Sequence, residues 1–555
     1  MKESCGVIAV YATGRAVAHL AFDGLYALQH RGQESAGMAV SDGESVTVVK
    51  DMGLVMTVFD ERKISALPGD LAIGHTRYST TGRSEWRNAQ PVFRSAGRSG
   101  FALGHNGNLT NTDGLASSLG MLPGVVASDS DLIAEAVASA WGKESSDEHA
   151  RAGIANGSDG PGKQNGSSER GPGGEGRSGA PGAGAELRDP SDSELLEEAL
   201  VAMLPRIEGA YSIVAITATS VMGARDPHGF RPLCLGRLPA RGPDGLRAGG
   251  TDEARTEGWV LASETPALDV MGAVFEREVQ PGELVVIDAG GVRSVPFVPA
   301  EEVDPRLCIF EFVYFARPDS RLYGREVHGA RRRMGELLAG QAPVDADLVM
   351  GVPESGVPAA EGYSHASGIP HGQGLVKNRY IGRTFITPGA EERAAGVRRK
   401  LNPLRENIAG KRLIVVDDSI VRGTTQRSVV RMLRDAGAAE VHLRISSPPL
   451  VWPCFFGIDI PDRDQLVAAD SSIGELERFL GVDSLEYLTL ENLVAAIDAP
   501  GAGFCTACLT GEYPVPVPPE RLGVRGEVPP AGEALPAPEA LPAGEVLPAP
   551  VSAKL

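Results

Sequence analysis

No stretch of this chain is apolar for long enough to cross a membrane; none of its hydrophobic runs approaches the ~20 residues a spanning helix needs. The N-terminus, MKESCGVIAV, lacks the long apolar core of a secretory signal, so the protein is expected in the cytoplasm. Positive charge is in deficit. With 53 Lys and Arg against 72 Asp and Glu, the formal net charge of −19 argues against nucleic acid or an anionic membrane as a partner. Cysteine is scarce as well, six in 555 residues, which excludes a disulfide scaffold. In a reducing compartment each such cysteine is a core thiol, a nucleophile or a metal ligand, and needs its own argument. The chain does have length, and at ~100–200 residues per domain it holds more than one.

Lys411 to Thr425, KRLIVVDDSIVRGTT, organises the rest. Leu413 to Val416 is a continuous β-branched run, the pattern of a strand buried on both faces of a parallel sheet. It ends in two carboxylates, Asp417 and Asp418, and a polar loop closing on Gly423, Thr424 and Thr425. A helix is expected from Gln426, with Val429, Val430, Leu433 and Ala436 on one stripe and Gly437 at its C-cap. Loops at the carboxyl edge of such a sheet bind ligands, and backbone N–H groups at a helix start suit a phosphate. Adjacent carboxylates would repel that phosphate unless they hold ribose hydroxyls or Mg²⁺. A bare pair of aspartates is as readily an acidic turn, but VVDDSIVRGTT is far more specific. It resembles the phosphoribosyl-pyrophosphate motif of type I phosphoribosyltransferases, and its RGTT ending is similar to that of the amidophosphoribosyltransferases. On that resemblance Ser419, Gly423, Thr424 and Thr425 bind substrate, and Asp417 and Asp418 hold Mg²⁺ or the ribose.

Taken in order, residues 1–4 read as a propeptide and 5–300 as a first domain with short strands and Gly-rich turns. Two insertions are expected to be disordered. The first, 143–193, loses its apolar pattern to Gly, Ser, Glu and Asn and cannot offset its ordering entropy; the second, 239–257, is Gly/Arg-rich. A second domain, 301–515, opens on CIFEFVYFARPDS and alternates strands with helices, the sign of βαβ units. The tail 516–555 is a Pro/Ala/Glu repeat, expected extended.

Cys5 stands at the head of an expected strand, where a lone cysteine is more often packing. Removal of MKES would put a thiol and a free α-amine on one residue, and an amine titrating near ~8 can serve as the thiol's base. CGVIAV, LQHRGQESAG, GHTRYSTTG, GHNGNLTN and SDSD resemble, in order, the blocks of class II glutamine amidotransferases. The resemblance implies Cys5 as nucleophile, Asn106 and Gly107 as oxyanion hole, Arg77 on the glutamine carboxylate and Asp129 on its α-ammonium. Many relatives begin with Met directly before Cys; here Lys2 blocks simple methionine removal, so a four-residue cut is expected.

Pro353-Glu354-Ser355-Gly356 follows the expected strand ADLVMGV, at another ligand-facing sheet edge, and Ser355 resembles the family's hydroxyl ligand to the metal. A basic segment carrying Lys377, Arg379, Arg383, Arg398, Arg399 and Lys400 stands out in an acidic protein. Alone it would be a solvated loop; beside this motif it reads as a lid over pyrophosphate. Cys505 and Cys508 form a C-x-x-C pair, a weak signal open to redox, zinc or iron–sulfur chemistry. With Cys454 and Cys234 they are similar to the four thiols of an amidophosphoribosyltransferase subgroup that carries a 4Fe–4S cluster. Cys308 has no matching role and reads as packing.

The implied fold is an N-terminal-nucleophile glutaminase domain, an αββα sandwich, followed by a type I phosphoribosyltransferase domain, a parallel sheet flanked by helices. The implied reaction takes phosphoribosyl pyrophosphate, glutamine and water to 5-phosphoribosylamine, glutamate and pyrophosphate, opening purine synthesis. One Mg²⁺ and one 4Fe–4S cluster per subunit, purine nucleotides as feedback inhibitors and a homotetramer are implied with it. A non-catalytic sensor of phosphoribosyl pyrophosphate would not need the Cys5, Arg77, Asn106 and Asp129 set. A hexosamine-forming amidotransferase would not carry VVDDSIVRGTT.

Overall fold

The computed structural model describes residues 5–78, 84–122, 126–141, 190–240, 256–378, 399–458, 460 and 462–517. The expected propeptide, most of both insertions, nearly all of the tail and residues 379–398, with Arg379, Arg383 and Arg398, lie outside them.

The first domain is two antiparallel sheets face to face. One runs Val274–Glu278, Cys234–Pro239, Thr256–Ala262, Gly6–Tyr11, Leu71–Arg77, Ser35–Ser41, Val46–Met52; the other runs Gly291–Pro296, Glu283–Asp288, Val221–Arg225, Gly209–Ile216, Phe101–Leu109, Val92–Arg94. The two-residue period of a strand divides each one between two cores. In Gly6–Tyr11, Val7 and Ala9 join the core between the sheets, while Ile8 and Val10 pack outward under the helices Val17–Ala27 and Thr265–Met271. In Gly209–Ile216, Val214 and Ile216 face inward and Tyr211, Ile213 and Ala215 face a helix over 129–141 and the helix Asp192–Met203. The result is the expected αββα sandwich.

The second domain is built on four parallel strands in the order Leu348–Gly351, Arg412–Asp417, Glu440–Ile445, Ser484–Tyr487. The run Leu413 to Val416 is buried on both faces. Ile414 and Val416 pack toward the helices Val327–Gln341, Val357–Ser367 and Leu490–Ile497, while Leu413 and Val415 pack toward Thr424–Asp435 and Ile473–Leu480.

Some element edges differ from the sequence reading. The helix Asp192–Met203 begins inside the expected first insertion, because Ser191 and Glu194 form a capping box that fixes its start. The strand Thr256–Ala262 absorbs the end of the second insertion. Val517, placed in the tail, packs on an aromatic cluster. The helix after Asp418 starts at Thr424, two residues early, entered through Gly423 in the left-handed region at φ 68°. CIFEFVYF contains a single π-helical turn, Glu311–Phe315, which no periodicity announced.

The domains meet over aromatic rings. Phe230 of the first is fully buried and stacks on Phe456 of the second, centroids 4.4 Å apart, in a cluster with Trp452, Phe455 and Tyr513. The Asn108 side chain donates to the Phe455 carbonyl at 2.8 Å. Phe230→Ala is therefore expected to destabilise by about 3–5 kcal/mol and, because the loss falls on the domain boundary, to split a single thermal transition into two. Calorimetry checks both.

Candidate active sites

The first site begins with strand pairing. Gly6 lies opposite Thr76 in the antiparallel register, so Cys5 is brought beside Arg77 at the end of the neighbouring strand. The turn LQHRGQ closes over this corner. A Cβ on Gly32 would stand 2.5 Å from the Thr76 carbonyl carbon, so only glycine passes there. Cys5, Arg77, Tyr78, Gln90, His105, Gly107, Ser128, Asp129 and Ser130 line one pocket. Asn106, between two of these, is fully buried, and neither atom of its carboxamide has a hydrogen-bond partner among the described residues. An unsatisfied buried amide in such a place is a donor held in reserve. One Asp129 carboxylate oxygen accepts from the Leu109 N–H at 2.8 Å, which fixes it at the mouth of the helix over 129–141.

Burial pushes the Cys5 thiol up, partly offset by the backbone of Tyr78 and by Arg77. Among the described residues its hydrogen-bond partners are the Tyr78 carbonyl at 3.4 Å and the Tyr78 N–H at 3.5 Å. Neither buried histidine nearby is a useful base. Burial pulls His75 down to about 3 and His105 to about 4, and both rings lie against backbone carbonyls. Tyr78, Gln90, His105, Ser128 and Ser130 were not singled out from the sequence; most sit inside the same motif blocks, and their adjacency to Cys5 is tertiary.

The second site lies at the carboxyl edge of the parallel sheet. Asp417 ends its strand, and both aspartates are buried. Gln426 donates to Asp417 at 3.1 Å and to the Ser419 carbonyl at 2.9 Å, and Ser419 Oγ donates to Asp418. Burial and the neighbouring Asp418 raise Asp417 well above the ordinary carboxylate range. Thr424 and Thr425 are the first residues of the helix, with exposed side chains. The Ser355 loop is held against this edge. The Val352 N–H donates to the Val416 carbonyl at 2.9 Å, and a Cβ on Gly356 would lie 2.2 Å from that same oxygen. Lys377 reaches Glu354 of the loop at 3.3 Å, and Lys400 stands beside it, its carbonyl accepting from the Asn378 N–H. Ser355, Asp417, Asp418, Ser419, Gly423 and Lys377 thus gather on one edge.

The family model for a phosphoribosyl transferase domain matches residues 327–446, which span this edge. The whole chain is 47% identical over 532 residues to the amidophosphoribosyltransferase of Mycobacterium bovis, covering 94% of this chain and 88% of that one. It is 38% identical over 522 residues to that of Bacillus subtilis, covering 93% and 95%. The chain belongs to the amidophosphoribosyltransferase family. Among solved structures it is similar to the glutamine phosphoribosylpyrophosphate amidotransferase from B. subtilis complexed with ADP and GMP, with TM-score 0.74 and 37% identity over 93% of this chain and 99% of that one.

The cysteines are grouped differently from the sequence reading. Cys234 stands apart: its thiol donates to the Ala262 carbonyl at 3.3 Å in the outer core of the first domain, and the charges that act on it are carboxylates and Arg225, not thiols. Cys308, read as packing, takes its place. It pairs in parallel register with Cys505, while the Cys508 carbonyl accepts from Val451 and Trp452 and so draws in the segment carrying Cys454. Burial pushes Cys308 up to about 12, and Cys454 adds to it; burial raises Cys505 and Cys508 well above the ordinary thiol range, with Cys308 and Cys454 adding to Cys505 and all three other thiols adding to Cys508. The two-residue bridge that brings Cys308 in has no sequence signal. Among the described residues no three His, Cys, Asp or Glu converge on a point as ligands of one ion do.

Gly356→Ala should force the Ser355 loop off the Val416 carbonyl. The expected result is a melting temperature lowered by several degrees and weakened binding of pyrophosphate by calorimetry, with the first-domain pocket untouched.

Proposed function

We propose that the chain performs glutamine-dependent amidophosphoribosyl transfer with one site in each domain. At the first, Cys5 attacks the side-chain carboxamide of glutamine. The thiol proton passes to the α-amine that removal of residues 1–4 frees, a role for which the buried His75 and His105, pulled down to about 3 and about 4, are unsuited. Arg77 and Asp129 hold the carboxylate and ammonium of the substrate. The Asn106 carboxamide and the Gly107 N–H stabilise the tetrahedral oxyanion. Ammonia leaves, and water releases glutamate from the thioester. At the second site the ammonia displaces pyrophosphate from C1 of phosphoribosyl pyrophosphate, giving 5-phosphoribosylamine. The observation that carries this reading is the gathering of Cys5, Arg77, Gly107 and Asp129 on one pocket of a chain whose other domain ends a buried strand in Asp417 and Asp418.

Mg²⁺ suits the second site. Two buried carboxylates with one raised pKa need a compensating charge, and this ion commonly binds through one or two carboxylates plus substrate phosphates. When bound it would neutralise the leaving pyrophosphate. Asp417 and Asp418 orient the ribose side, Ser355 lies on the pyrophosphate loop, and Ser419, Gly423, Thr424 and Thr425 hold the 5-phosphate at the helix start. Lys377 and Lys400 flank the basic segment and carry positive charge toward the leaving pyrophosphate.

Cys308, Cys505 and Cys508 are buried and Cys454 half-buried, burial raises all four thiols, and a bound metal cluster would supply the positive charge that holds them as thiolates; a cubane takes one thiolate per iron around a volume. Cys308, Cys454, Cys505 and Cys508 are the ligands in this reading, in place of the set with Cys234. Purine nucleotides are the expected effectors, ADP and GMP being bound to the B. subtilis relative, and a homotetramer the expected assembly.

Cys5→Ala is expected to abolish glutamine use and to leave ammonia-dependent synthesis largely intact, with intact mass of the wild type beginning at Cys5. Full activity in protein that retains Met1 would sink the nucleophile assignment. Anaerobically purified Cys308→Ser should be colourless and iron-poor, and Cys234→Ser should keep its iron and sulfide. The reverse pattern would restore the original set.

A further inference from the structure

Arg31 and Glu311 are buried at the domain boundary, at 1% and 0% exposure, and the mechanism above uses neither. Arg31 belongs to the first domain and Glu311 to the π-helical turn of the second. The Arg31 fork donates both ways: Nη1 to Glu311 at 3.0 Å and Nη2 to its other oxygen at 2.8 Å, with Nη1 also on Glu264. Its remaining nitrogen, Nε, donates to the Cys5 carbonyl at 3.0 Å. Glu311 accepts a further bond from Arg231 at 3.2 Å, and Arg231 reaches the Phe456 carbonyl at 2.8 Å. Glu264 is held from the second domain by Ser320 Oγ and the Arg317 N–H.

A planar guanidinium bound on both edges cannot rotate, so Glu311 fixes the plane in which Nε meets the nucleophile's own carbonyl. We propose that Glu311 is a positioning residue for Cys5: through Arg31 it sets the backbone of the nucleophile, and the thiol reaches its reactive geometry only when the second domain is docked. The inference rests on Cys5 being the nucleophile, and deepens that reading by making one domain's chemistry conditional on a carboxylate of the other.

The test compares Glu311→Gln, Arg31→Lys and Arg231→Gln in the full chain. Cys5 alkylation by iodoacetamide is followed by mass spectrometry, alongside kcat and KM for glutamine and ammonia-dependent synthesis. Glu311→Gln keeps the shape and loses the charge. It should slow alkylation and lower glutaminase kcat about tenfold, with KM for glutamine unchanged because Arg77 and Asp129 are untouched. Ammonia-dependent synthesis, which needs only the second site, serves as the fold control. Arg31→Lys keeps the charge but loses the fork and should show the same losses, which preserves the test if Glu311→Gln does not fold. Arg231→Gln disturbs the same buried cluster without touching Arg31 and should leave alkylation within about twofold. Wild-type alkylation and kcat in Glu311→Gln or Arg31→Lys overturn the proposal, as do equal losses in Arg231→Gln, which would mark a merely structural cluster. Full glutamine activity in Cys5→Ala would instead overturn the nucleophile reading, whatever Glu311 does.

Discussion

Two arginines and two glutamates buried on one boundary constrain this molecule more than any other contact. Arg31 and Arg231 face Glu264 and Glu311, all at 1% exposure or less. Taking such charges out of water costs several kcal/mol per ion, and only complete mutual satisfaction offsets it. The set is balanced only when both domains contribute, because Glu311 comes from one and both arginines from the other. An undocked first domain would leave two guanidinium groups short of partners, and an undocked second would leave Glu311 alone. The apolar rings around Phe230 and Phe456 supply cohesion, and the charge set supplies register: stacked rings tolerate sliding that a bidentate fork does not.

That boundary also explains why the chemistry lies close to it. The strand Phe101–Leu109 carries Asn106 and Gly107 and, one residue on, Asn108, whose amide grips the Phe455 carbonyl beside Cys454. Asn106, Gly107 and the cysteine loop are therefore neighbours along one strand and one hydrogen bond. On the other side, Arg331 donates to the Phe312 and Ala316 carbonyls, at 2.7 and 2.8 Å, bracketing the turn that carries Glu311. Burial pulls Arg331 down to about 10, and Asp418 is the strongest charge opposing that pull. The acidic loop and the Cys5 carbonyl are thus linked through Arg331, the π-helical turn and Arg31.

What was legible in the sequence is what local chemistry encodes. The run Leu413 to Val416 declared a strand buried on both faces, because a continuous β-branched pattern acts over a few positions, whereas the blocks around Cys5, Arg77, Asn106 and Asp129 were legible through their resemblance to class II glutamine amidotransferases. What was not legible depends on contacts far apart in the chain. Cys234 and Cys308 are both apolar-flanked thiols, and only the pairing of Leu307–Cys308 with Phe504–Cys505 separates the one that lies with the other cysteines from the one in the outer core of the first domain. Glu311 lies inside CIFEFVYF, where hydrophobicity masks a carboxylate whose partners are 80 and 280 positions away. The insertion edges were misplaced because capping residues such as Ser191 are polar and read as loop until the bonds they make are known.

The second site shows the opposite economy. Asp417 is raised well above its ordinary range by burial and by Asp418, and a carboxyl with a raised folded pKa favours the fold below its unfolded pKa and loses that contribution as pH rises through the folded value. At neutral pH the acidic pair is therefore a standing cost to stability, borne by the parallel sheet beneath it. Strain of this kind belongs where a ligand relieves it: a cation or ribose hydroxyls would satisfy the carboxylates, and binding to the folded chain alone would recover the loss. The first site shows the same logic in the carboxamide of Asn106, buried and without a hydrogen-bond partner among the described residues. In both domains the side chains that look wrong for stability are those gathered at the candidate sites, and the interdomain charge set links the two through Arg31 and the π-helical turn.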